Sequence, residues 1–194
     1  MKRAARRRRR RWLALGGGAV VIGLVVGILV ASGTFDHALK ELTLPLVHED
    51  VIRQQADEKG VDAALIAAVI YSESKFSDAT SSAGARGLMQ ITPEAAEFIG
   101  RQSGATSFEL EDLSDPEINI RYGTFLLKEL LERYDGDEAA ALAAYNAGPG
   151  NADKWGGSGL NVSDIPFPET RAYVEEVLEK QREYRRKYAR ELGY

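Results

Sequence analysis

The stretch DAALIAAVIYSE, Asp62 to Glu73, constrains the fold more than any other part of the chain. Asp62 is placed to cap a helix from Ala63 to about Glu73. Ala64, Leu65, Ala67, Ala68, Val69 and Ile70 make that helix apolar on nearly every side. A helix apolar all round belongs in the centre of a domain, so other helices must enclose it. It ends on Glu73, and a glutamate is almost never buried without a partner. The local pattern leaves two readings open. Glu73 is a solvated carboxylate in a last turn, or a carboxyl group whose proton affinity is raised for chemistry. In the second reading, apolar surroundings and the negative end of the helix dipole disfavour the charged form, and Lys75 opposes them.

The flanking sequence predicts helix after helix. Val47, Val51, Ile52 and Ala56 form an amphipathic stripe that stops at Gly60. Thr92-Pro93 opens another helix, with Thr as cap and Pro in its first position. Ser114-Asp115-Pro116-Glu117 reads as a capping box before a long helix with Ile118, Tyr122, Phe125, Leu126 and Leu130 on one face, ending near Gly136. Asp137 opens DEAAALAAYN, which breaks at AGPG; a Gly-rich loop follows, then a last helix from about Pro168. The charged tail EKQREYRRKYARE reads as a solvated helical face. Strand-like alternation is nearly absent, with Leu88–Ile91 and Leu160–Ile165 the two segments short enough to be extended. The predicted class is all-α or nearly so.

Ahead of this region lies a different composition. Residues 1–11 form a basic arm with Lys2, Arg3 and Arg6 to Arg11 and no acid. Residues 12–33 carry no charge, and Leu13 to Val30 contains only Leu, Ala, Gly, Val and Ile. At about 1.5 Å per residue that run covers most of a hydrocarbon layer about 30 Å thick. The expectation is a retained single-pass anchor with the arm in the cytoplasm, a stalk over 34–45, and a domain over 46–194 outside the membrane. A cleaved signal peptide, with Ala31-Ser32 at the cleavage site, is the competing reading.

The arm holds eight of the 25 basic residues, which leaves 17 basic against 29 acidic residues and a charge of about −12. That balance argues against nucleic acid as a partner. With no cysteine and only His37 and His48, neither disulfides, thiol chemistry, a dedicated zinc site nor a Ser-His-Asp set is expected.

Two further stretches bear on Glu73. Ser81 to Pro93, SSAGARGLMQITP, is a Gly-punctuated loop that delivers Met89 and Gln90 ahead of a capped helix. An amide such as that of Gln90 donates and accepts at once, which suits sugar hydroxyl and acetamido groups. Tyr145-Asn146 then ends a helix before the rigid turn AGPG. In order, ESKF, GARGLMQITP, AYNAGPG and ETRAYV (Glu169 to Val174) resemble the four motifs of the lytic transglycosylase family, bacterial enzymes with a goose-type-lysozyme-like SLT domain. The resemblance covers about Pro45 to Glu191.

That resemblance implies a compact multi-helix lysozyme-like fold, all-α or at most α+β. Glu73 matches the single catalytic acid and base, and Ser74 a residue that positions the helix end or substrate. Met89 and Gln90 match groups lining the glycan cleft, Tyr145 a Tyr close to the catalytic carboxyl, and Asn146 a residue that holds the turn or binds glycan. Tyr173 matches a Tyr packed near the same site. Ser82 matches a substrate-contacting Ser, although KFSDATSSAG is one residue shorter than the family's usual stretch and leaves its place open.

Most glycosidases use two carboxylates. Asp78 is the obvious second candidate here and reads as a cap. The family's chemistry needs one. The acid protonates the oxygen between N-acetylmuramic acid and N-acetylglucosamine, the 2-acetamido group stabilises the anomeric centre, and the sugar's own C6 hydroxyl closes a 1,6-anhydro ring. The implied partner is the peptidoglycan glycan strand, with no metal or cofactor, and the chain is expected to act as a monomer at the bacterial cell membrane. A goose-type muramidase using Asp78 or Asp112 to activate water, and a non-catalytic membrane-tethered glycan-binding module, are the rival readings.

Overall fold

A computed structural model describes residues 44–103 and 110–194. Residues 45–194 form one compact unit, and residues 1–44, of which Leu44 alone is described, form another. The basic arm, the predicted anchor over 12–33 and nearly all of the stalk lie outside the described residues. Among those described, no helix is long and apolar enough to cross a membrane.

Helix α1 (Glu49–Lys59) ends where Gly60 turns left-handed at φ 66°. Helix α2 (Ala63–Ser74) is the central one, and every residue from Ala63 to Ile70 is buried. Taking Leu65, Ile66, Val69 and Ile70 out of water contributes about 1.5–3 kcal/mol each. Helix α3 (Pro93–Ser103) follows Thr92, whose hydroxyl accepts from Ala95 N at 3.2 Å. A 3-10 turn (Leu110–Ser114) leads to α4 (Pro116–Arg133), then α5 (Glu138–Ala147), a short α6 (Pro149–Lys154), a second 3-10 turn (Val162–Asp164) and α7 (Pro168–Lys187). Helix α7 packs most extensively on α2, α1 also lies on α2, and α5 bridges α4 and α7. Thr80, Arg86 and Ile91 make isolated bridges, and the described residues contain no strand.

Four expectations are corrected. The cap of α4 is Asp115, which accepts from Glu117 N at 2.8 Å and Ile118 N at 3.1 Å, so Ser114 and Glu117 make no capping box. Of the face expected on α4, Tyr122 and Leu130 are buried, but Ile118, Phe125 and Leu126 are only half-buried, and Asn119, Ile120, Gly123, Thr124 and Leu127 complete the buried face. Small residues face inward here because other chain segments approach closely. Residues 149–154 fold into α6 instead of starting a loop. The charged tail is not simply solvated: Gln181, Tyr184, Tyr188 and Leu192 are buried, with Tyr184 stacked on Tyr188 and edge-on to Tyr71.

Asp62 ties the start of α2 to the far end of α7. Its carboxylate accepts from Ala64 N at 3.0 Å, from Gln181 Nε2 at 2.7 Å, and from Arg185 and the Tyr194 hydroxyl. Asp62→Ala is expected to lower the unfolding free energy by about 2–4 kcal/mol, a cap plus charge-assisted bonds. Urea denaturation measures it, and a loss below about 0.5 kcal/mol, typical of neutral surface changes, would reject the role.

Candidate active site

Glu73 sits in the last turn of α2, and the chain bends away immediately after it. Lys75 and Phe76 are both left-handed, at φ 52° and 61°. Two adjacent non-glycine residues in that region cost of order 1–3 kcal/mol each, a strain that surrounding packing must sustain. Lys75 is held elsewhere: its ammonium lies 4.1 Å from the Tyr71 ring centre and 3.6 Å from Glu176 on α7. It therefore does not offset the burial of Glu73. Burial lifts the Glu73 pKa from 4.5 to about 7, and only the Tyr173 hydroxyl pulls it back.

Two phenols flank this carboxyl, Tyr145 from the end of α5 and Tyr173 from the first turns of α7. Burial, with the charge of Glu73 second, pushes both phenols well above their ordinary range, so both remain protonated donors. The Tyr145 hydroxyl is committed, donating to Met89 O at 2.8 Å. The Tyr173 hydroxyl is buried beside Glu73 and meets full hydrogen-bond geometry with no atom of the described residues. Its contact with Glu73 is a loose one.

The loop that faces Glu73 is tied down on both sides. Ser74 Oγ lies 2.7 Å from Leu88 O and 3.1 Å from Ile70 O, so this hydroxyl joins the helix end to the loop. Gln90 is left-handed at φ 48°, and its amide nitrogen donates to Ala79 O and Gly87 O, both at 2.9 Å. The amide oxygen is the part of Gln90 not used in these bonds. Met89, expected in the cleft wall, is fully buried. Its side chain fills a slot on α4 opened by Gly123, where a Cβ would fall 2.3 Å from Met89 Sδ. Asn146 is exposed, and its Oδ1 accepts from the buried Thr170 hydroxyl at 2.8 Å, which joins α5 to α7. Ser82 lies on the exposed surface of the loop. Asp78 is exposed too and caps no helix, and neither it nor Asp112 acts on the titration of Glu73.

Asn119 escaped the sequence reading. It is fully buried on α4 and accepts from Met89 N at 2.8 Å while donating to Arg86 O and Leu113 O, each at 2.9 Å. The signal was an Asn four residues before a Gly inside a long helical run, a polar group on a face too small to pack by itself.

Beside Tyr145, a cavity of about 780 Å³ opens between α3, α4 and the end of α5. Phe98, Leu126 and Leu130 make its apolar floor, and Thr92, Asn146 and Glu94 lie on its polar side. That size and mixed lining suit a ligand with both apolar faces and hydroxyl groups.

Residues 50–165 match the family described as "Transglycosylase SLT domain". The chain is 32% identical to the soluble lytic murein transglycosylase of Escherichia coli (strain K12) over 171 residues, 84% of this chain and 26% of that protein. It is 30% identical to membrane-bound lytic murein transglycosylase C of Edwardsiella ictaluri over 191 residues, 77% of this chain and 52% of that protein. The solved structure of the 70 kDa soluble lytic transglycosylase from Escherichia coli matches with a TM-score of 0.72 at 32% identity, covering 83% of this chain and 27% of that one. This chain thus spans about a quarter of the length of the soluble relative. With the match running from α1 to the second 3-10 turn, and so across Glu73, the Met89 loop and Tyr145, the chain belongs to the transglycosylase SLT domain family.

Proposed function

We propose that the chain is a peptidoglycan lytic transglycosylase that cleaves the β-1,4 bond between N-acetylmuramic acid and N-acetylglucosamine and leaves a 1,6-anhydromuramyl end. One observation carries this reading: a carboxyl group that burial brings to a pKa of about 7, with no second carboxylate among the described residues acting on it. Near neutral pH such a group is populated in both forms, which an acid that later serves as base requires. Glu73 first donates its proton to the glycosidic oxygen. The ionised carboxylate then takes the proton of the C6 hydroxyl as that oxygen closes on the anomeric carbon. The closing hydroxyl belongs to the same sugar, so no second carboxylate is needed to activate water.

In this reading Tyr173 supplies the group that holds Glu73 once it is ionised, because its hydroxyl is a protonated donor beside it. Tyr145 and Ser74 fix the loop facing Glu73. The Asn146 side chain serves the glycan along the cavity, and the amide oxygen of Gln90 and the Ser82 side chain serve it from the loop. Met89 acts from beneath the loop, by anchoring it on α4. The expected setting is a monomer outside the membrane, held by residues 12–33 and acting on nearby glycan strands.

Digestion of purified peptidoglycan followed by mass analysis of the muropeptides tests the activity. Products one water lighter than reducing ends support it. Reducing ends would transfer the site to a muramidase, and the absence of products to a binding module.

A further inference from the structure

We propose that Asn119 is a positioning residue: its buried amide fixes the backbone of residues 86–89 and, through it, the two side chains that tie the loop down around Glu73. The inference rests on Glu73 being the acid, and it concerns a residue outside every motif that points to that role.

The amide is used on three sides. Its oxygen accepts the Met89 N–H at 2.8 Å, and its nitrogen donates to Arg86 O and Leu113 O at 2.9 Å. Arg86 and Ile91 exchange backbone bonds at 3.0 Å, so this contact grips the base of a closed turn. Gly87 is what lets the amide in: a Cβ there would lie 2.1 Å from Asn119 Nδ2. From that grip the loop reaches both sides of the site. The Leu88 carbonyl meets Ser74 Oγ at 2.7 Å, one residue beyond Glu73. The Met89 carbonyl receives the Tyr145 hydroxyl at 2.8 Å. The peptide unit whose N–H Asn119 holds therefore adjoins the one whose carbonyl orients Tyr145. Asn119 is fully buried, so its effect on the reaction runs through the loop.

An unsatisfied amide or carbonyl in a buried site is costly, so removing the Asn119 side chain frees three backbone groups to seek water. The loop then moves off Glu73, and misplacement by about 1 Å lowers turnover about a hundredfold. In the 194-residue chain, Asn119→Ala is expected to lower kcat about a hundredfold with KM within about threefold, the pattern of a loss felt in the transition state. The Glu73 titration, followed by carbon NMR, moves below about 7 as water reaches it. Asn119→Asp, nearly the same shape, moves both readouts the same way, because a carboxylate cannot donate to Arg86 O and Leu113 O. Ile52→Ala on α1, a core truncation remote from the loop, is the control for mere loss of stability and leaves the titration in place.

A folded Asn119 variant with wild-type kcat and an unmoved Glu73 titration overturns the proposal. Hydrogen exchange in the wild-type chain decides even if both variants fail to fold. A Met89 amide that exchanges only with global opening supports the clamp, and one that exchanges freely overturns it. Titration and exchange need no turnover. Failure of the transglycosylase reading shows instead as an absence of anhydro ends from the wild-type chain.

Discussion

Glu73→Gln is expected to leave the chain folded, to lower turnover about 10³–10⁴-fold, and to make the chain more stable above neutral pH. In the proposed mechanism the loss of turnover follows from removing the group that gives and takes the proton. The gain in stability follows from linkage. Glu73 titrates at about 7 in the folded chain, and its ordinary value is 4.5. Between those values the folded chain keeps a proton that the unfolded chain has released. The stability contributed by protonated Glu73 is complete below about pH 4.5 and is lost as pH rises through about 7, in all about 3 kcal/mol. Glutamine does not titrate and keeps the neutral form at every pH. Urea denaturation at pH 4 and pH 8 should therefore show the variant gaining about 3 kcal/mol on the wild type between the two. The wild-type rate should also fall as pH rises above about 7, where the acid form is depleted. A variant that keeps most of its turnover sinks the assignment of Glu73, and a gain that is equal at both pH values sinks the burial argument.

How much of this was legible in the sequence differs from element to element for physical reasons. Helix α2 was legible because every side of it is apolar and Asp62 marks its start. Helix α4 was legible only in part: Tyr122 and Leu130 are buried as expected, but Phe125 and Leu126 are not. An apolar count favours Phe125 and Leu126, but packing against Met89 and the turn at Gly87 requires small or amide groups, so Gly123 and Asn119 face the core. Leu126 was left to line the cavity. The tail of α7 carried a spacing of three and four residues through Val174, Val177, Gln181, Tyr184 and Tyr188, all of them buried. Charged residues between them hid that stripe, since long side chains stay wet on a helix whose other face is packed. At the site, the phenols of Tyr145 and Tyr173 lie against the Glu73 carboxyl. Lys75 did not join them, because its partner Glu176 lies about a hundred residues further along and no local pattern announces it.

Gly87→Ala tests the other half of the site, the close approach between loop and helix. Gly87 is left-handed at φ 72°, and a Cβ on it would fall 2.1 Å from Asn119 Nδ2 and 2.5 Å from Leu113 O. The second of these is backbone and cannot rotate away. Three costs coincide: about 1 kcal/mol for alanine in a left-handed conformation, about 1–3 kcal/mol for overpacking, and the bonds of Asn119 that the new methyl displaces. The expected loss is about 3–5 kcal/mol in urea denaturation. Gly136 provides the control, since its φ is 83° and nothing lies within 4 Å of a Cβ there. Gly136→Ala carries the backbone cost alone, about 1 kcal/mol. The difference between the two variants isolates the contact with Asn119 and Leu113, and it should exceed about 2 kcal/mol. Turnover should separate them as well, with Gly136→Ala at the wild-type rate and Gly87→Ala reduced about a hundredfold under conditions where it is folded. If the two alanines cost the same, the amide does not grip the loop, and the placement of Ser74 and Tyr145 around Glu73 must come from the loop itself.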